Sequence, residues 1–167
     1  MWSRISELFT AYPAQRAVAR KMIELGLSIG KEGRIYCGEV EIKEVSLAKA
    51  AGTDRRVVGA TVRSILSDRK LAALFSGIRP AGSLLSGIAH ELGFGVVELE
   101  ADAKKPAIIA GATALLAKKR IVIRQIYAKD PELFENPTLT IIVEKPIPGA
   151  LVPQFSKIPG VRKVSIY

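Results

Sequence analysis

The sequence predicts an α+β fold in two parts. Residues 1–80 form a mainly helical domain with two helices joined by a tight turn. Residues 94–167 alternate strand and helix in the order βαββαβ. Three observations carry this. Apolar residues over 43–68 recur at helical spacing on both sides of Gly52. From Phe94 onward, short β-branched runs alternate with helical ones. Pro80 interrupts the pattern between them, and the boundary is placed there.

Each element follows from local chemistry. Residues 1–27 read as helix: Pro13 suits a first turn, Ala14, Val18, Met22 and Leu25 share one face, and Gly26 is a stop. The alternation of Ile35, Cys37, Val40 and Ile42 about Gly38 predicts a short strand or hairpin over 34–42. Val45, Leu47, Ala48 and Ala51 predict a short helix ending at Gly52. Thr53 and Asp54 are both N-cap residues for a second helix from Arg55 to Leu66, with Val58, Thr61, Val62 and Ile65 inward. That is the helix-turn-helix signature, and the domain is expected to be winged-helix-like. Residues 69–78 read as a returning strand, and 81–93 as an amphipathic connector helix. The C-terminal unit follows as strand 94–101, helix 104–120, strand 121–129, loop 130–137, strand 138–145, a turn and short helix over 146–160, and strand 161–167. That order is ferredoxin-like.

Of 167 residues, 49% are hydrophobic and 25% charged, enough apolar material to exclude a disordered chain. No apolar run approaches the roughly 18 residues of a membrane span. The start, MWSRISELFTAYPAQR, has no secretory pattern. A single cysteine, Cys37, permits no internal disulfide and fits a reducing, cytoplasmic setting. A single histidine, His90, excludes a His-pair metal site. The net charge of +9 points to an anionic partner, with nucleic acid first. Residues 1–80 hold 14 Lys and Arg against 8 Asp and Glu; residues 81–167 hold 11 against 8. The alternative is a basic surface of the kind hyperthermophile proteins carry.

Arg55 and Arg56 fall at the start of the second helix, where a helix-turn-helix meets base edges or phosphates, and Arg63 lies two turns on. Lys43 and Lys49 can reach backbone, and Thr53 sits at the turn. The alternative is a helical hairpin for protein contacts with its arginines solvated. Catalysis has little support: the chain has no GxSxG and no Walker loop. Cys37 reads as a small core residue, and His90 as a partly exposed capping residue. Glu98, Glu100 and Asp102 alternate along one strand, a pattern that more often marks a solvated face than a metal site. No enzyme activity, metal or cofactor is expected. The loop Asp102, Ala103, Lys104, Lys105, Pro106, Ala107 leads into a helix N-terminus, an arrangement that suits a carboxylate.

The stretch KKPAIIAGATALLAKKRIVIRQI (104–126) resembles the ACT-domain pattern of Asp-x-Pro-Gly, an amphipathic helix and an Ile-Asn-Ile strand. A helix-turn-helix followed by an ACT domain is similar to archaeal proteins described as predicted regulators of amino-acid metabolism. The resemblance implies an amino acid or similar small carboxylate as effector, bound by residues 102–107 and Val122. It also implies DNA as a partner, no membrane, and a homodimer or higher oligomer paired through ACT domains. Pro106 matches the pattern. Lys104 stands in place of the acidic residue, Ala107 in place of Gly, and Val122 in place of the strand Asn. Those replacements imply weak binding or an aliphatic effector. The alternative function is control of a biosynthetic enzyme by protein contact, without DNA.

Overall fold

The structure, a computed structural model, describes residues 2–102 and 104–167. The chain divides into two compact units, residues 1–82 and 83–167.

The first unit runs α1 (Trp2–Leu8), α2 (Pro13–Glu24), β1 (Leu27–Ile29), β2 (Ile35–Cys37), β3 (Val40–Ile42), α3 (Glu44–Ala50), α4 (Arg55–Ser67) and α5 (Arg69–Gly77). The three strands form an antiparallel sheet in the order β1-β2-β3. α4 packs against α2, α3 and α5, burying Val58, Thr61, Val62 and Ile65 as the sequence predicts. Ser64 Oγ meets Gln15 Oε1 at 3.1 Å, fastening α4 to α2. Cys37 is half-buried in β2.

Three segments differ from the sequence expectation. Residues 1–27 are not one helix. The residue before a proline is disfavoured in helical backbone, and the chain breaks over Phe9–Tyr12, while β1 follows Gly26. Residues 69–78 are helix, not strand. Asp68 accepts from the amides of Lys70 (2.8 Å) and Leu71 (2.9 Å), and Leu71 and Phe75 bury one helical turn apart. Residues 81–93 hold no continuous helix, only a 3-10 turn over Leu85–Ile88. Tertiary contacts dictate that path. Gln125 accepts from the Leu85 amide (3.1 Å) and donates to the Ser83 carbonyl (2.7 Å), while Leu85, Ala89 and Phe94 pack on Val96 and Ile142. His90 is exposed beyond that turn.

The second unit runs β4 (Gly95–Ala101), α6 (Ala107–Lys118), β5 (Ile123–Ala128), β6 (Thr138–Val143), α7 (Val152–Ser156) and β7 (Val161–Ile166). The sheet is antiparallel in the order β5-β6-β4-β7, the ferredoxin-like topology. Val97, Leu99 and Ala101 of β4 and Leu139, Ile141 and Val143 of β6 face the helices. They form the core with Ile108, Ala112, Leu116 and Phe155. The apolar strands β4 and β6 are central, and their residues are buried or half-buried. The edges are β5 and β7.

Candidate nucleic-acid interface and effector cleft

α3 and α4 are joined by Ala51–Asp54. Gly52 sits at φ +64°, a left-handed conformation that glycine adopts without steric cost. The Thr53 amide donates to the Ala48 carbonyl at 2.9 Å, and Ala48 is buried at the base of the turn. Thr53 is half-buried and does not cap α4; Asp54 does, accepting from the Arg56 amide at 2.7 Å. That backbone bond, and then the Arg56 guanidinium at 3.2 Å, hold the Asp54 carboxyl below the usual carboxylate range.

The basic side chains differ in setting. Arg56 is 92% exposed beside Asp54. Arg55 is 67% exposed, with Nε 3.9 Å from Glu44 Oε2. Arg63 is exposed, and its guanidinium and the Glu44 carboxylate both lie over Gly59. Seven residues separate Arg56 from Arg63, placing them about 20° apart around the helix axis and roughly 10 Å along it. They share the face opposite Val58, Thr61 and Ile65. Arg55 is turned about 100° from Arg56. Lys43 and Lys49 are exposed at the two ends of α3. Sequence reasoning passed over Glu44. Its place in the first turn of α3 was the available signal.

In the second unit the predicted effector residues part company. Asp102 Oδ1 accepts from the Lys104 amide (3.1 Å), its carbonyl accepts from Lys105 (2.9 Å), and its amide donates to Gly160 (2.9 Å). The Asp102 carboxylate therefore serves its own turn. Ala103 lies outside the described residues. Lys104 and Ala107 are exposed. Val122 is 53% exposed and precedes β5, whereas the loop lies near the opposite end of that strand, roughly 20 Å away. Within this chain Val122 is not part of the loop site.

Lys105 and Pro106 instead line a cleft of about 230 Å³. Its floor is Leu99, Ala101 and Leu139; one wall is Ile108 and Ile109 of α6; the other is Ala128, Lys129 and the prolines of the β5–β6 loop. None of these was singled out from sequence, because the walls converge from four separate segments. Gly160, at φ +97°, leaves room for the Lys105 stem: a Cβ there would stand 3.0 Å from Lys105 Cδ. The Lys129 ammonium lies 5.7 Å from the Phe134 ring centre.

The Glu98, Glu100, Asp102 row does not converge. Glu98 accepts from Thr140 at 3.3 Å, and Glu100 pairs with Lys163 at 2.9 Å across the strands, raising the Lys163 pKa. Partial burial, and then the Glu98 carboxylate beside it, push the Tyr167 phenol up to about 12. Among the described residues no group of three or more His, Cys, Asp or Glu is placed to hold a metal ion. No helix among them is long and apolar enough to cross a membrane.

No protein-family model matches the chain, and no curated protein matches it. Solved structures do. The C-terminal domain of the MgtC protein from Mycobacterium tuberculosis is similar at 25% identity, over 46% of this chain and 86% of that one, with a TM-score of 0.37. The crystal structure of PH0061 is similar at 14% identity, over 75% and 78%, with a TM-score of 0.28. A transcriptional regulatory protein from Pyrococcus furiosus, PF0864, a member of the AsnC family, is similar at 10% identity, over 75% and 77%, with a TM-score of 0.27.

Proposed function

We propose that this chain is an effector-responsive transcriptional regulator. Its first unit binds duplex DNA through α3 and α4 as a helix-turn-helix. Its second unit, an ACT domain, binds an amino acid or similar small carboxylate and pairs chains into a dimer. The observation that carries the reading is the exposed Arg56–Arg63 face of α4, opposite its buried side. A helix anchored by three packed neighbours can present those cations to phosphates without losing its core contacts. Coupling follows by linkage: an effector with different affinity for two arrangements of the DNA-binding units changes DNA affinity by the same factor that DNA changes its own.

The test is a titration of random-sequence duplex by fluorescence anisotropy at several salt concentrations, repeated with leucine, isoleucine and valine. The regulator reading expects salt-dependent binding that an effector shifts. Light scattering should give at least twice 18.0 kDa. Absence of binding at low salt overturns the DNA part. A second reading, control of an enzyme by protein contact, is favoured by one observation: Arg55 and Arg56 each already face a carboxylate. It expects no DNA binding.

A further inference from the structure

The cleft in the second unit has a chemical character of its own. Its floor and α6 wall are aliphatic, and Ile109 at its rim is 47% exposed. The charged side chains lining it, among the described residues, are Lys105 and Lys129. Among the described residues no carboxylate lines it. Of the acids that adjoin lining residues in sequence, Glu100 pairs with Lys163, and Asp102 and Asp130 each hold a backbone amide of their own turn with one carboxylate oxygen. Asp102 accepts from the Lys104 amide, and Asp130 accepts from the Glu132 amide at 2.7 Å.

An amino acid brings an ammonium group as well as a carboxylate. Here the ammonium would meet two cations and no lining anion, and like charges at close range repel. A carboxylate with an aliphatic tail meets the opposite situation. The tail replaces water against Leu99, Leu139 and Ile108, and the carboxylate takes charge-assisted bonds from the lysines. The volume, below the roughly 300–1,000 Å³ of drug-sized sites, suits a short acyl chain.

We infer that the cleft takes a small branched aliphatic carboxylate without an α-ammonium group, a 2-oxo acid or the parent acid. This rests on the reading of the second unit as an effector sensor, and it names the class of effector. A regulator of this kind responds to the carbon skeleton of an amino acid before or after the amino group is present.

Calorimetry on the full chain tests this with 4-methyl-2-oxopentanoate, 4-methylpentanoate and leucine. Both acids should bind, and leucine at least tenfold more weakly. Lys105→Met with Lys129→Met should weaken the acids by roughly tenfold to a hundredfold, the range of charge-assisted bonds. Ile109→Glu, at an exposed wall position, should expel them through like charge while leaving the unliganded melting temperature in place. Leucine binding as tightly as its 2-oxo acid overturns the inference and leaves the sensor reading standing. Acid binding untouched by Ile109→Glu places the ligand elsewhere and also overturns it. Silence from both acids and from all twenty amino acids overturns the inference and the sensor reading together.

Discussion

Replacing Arg56 and Arg63 together by Ala removes two exposed cations from one face of α4 and leaves its buried apolar side chains in place. If each neutralises one phosphate, the slope of log K against log salt becomes shallower by about 0.9 per contact, or about 1.8 in all. Between 50 and 200 mM salt, a fourfold span, the parent chain should therefore lose about twelvefold more affinity than the double variant. Anisotropy with a labelled random duplex at four or five salt concentrations reads this directly. Arg55→Ala serves as the internal comparison. Arg55 points about 100° away from Arg56 and lies against Glu44, so its slope should change by much less than the roughly 0.9 of one phosphate contact. An unchanged slope in the double variant refutes the assignment of this face to phosphates. A larger effect from Arg55→Ala refutes the choice of face.

Three further outcomes are expected. Asp54→Asn keeps an equally good cap but removes the anion beside Arg56; DNA affinity should rise, and a fall would show that the carboxylate itself orders the contact. Burial alone would raise the Glu24 pKa, but bonds from Lys21 (2.6 Å) and Arg20 (2.9 Å) outweigh it and hold the folded value below the unfolded one. Its stabilisation is therefore present above the ordinary carboxylate range and lost as pH falls through the lowered folded pKa. Urea unfolding of Glu24→Gln should show a flatter decline on the acid side. Thr138 Oγ1 is buried with no hydrogen-bond partner among the described residues; Thr138→Val should stabilise the second unit by about 1 kcal/mol in urea unfolding, and destabilisation would mean that the hydroxyl has a partner in solution.

What was readable in the sequence was what local chemistry decides. The stretch from Glu44 to Ser67 carries its own instructions: a left-handed glycine, a capping aspartate and a helical apolar period. The βαββαβ order was readable for the same reason, since each strand carries β-branched residues and the first helix is Ala-rich. Residues 69–77 were misread because a short apolar run permits strand and helix alike. The discriminating signals were present: Asp68 as a cap, which lay across an assumed boundary, and the Leu71–Phe75 spacing inside the run. Residues 81–93 could not be read at all, because Gln125, forty residues away, sets their path. The cleft was invisible for a related reason. The Lys105–Pro106 loop was noticed, but Leu99, Ile109, Ala128 and Lys129 meet it only after the sheet closes.

The strand order of the second unit has a kinetic consequence. Glu98 at the centre of β4 pairs with Thr140 and Ser165, partners 42 and 67 positions along the chain. The first unit begins its sheet with Leu27 opposite Cys37, only ten apart. Closing a longer loop costs more entropy before any contact repays it, and domains rich in distant pairings fold more slowly. On dilution from denaturant the two units should therefore recover in separate phases, the three-stranded helical unit ahead. During the interval between them, β4 and β6 expose apolar edges that only the completed sheet conceals, so this is the period in which the protein is most prone to aggregate.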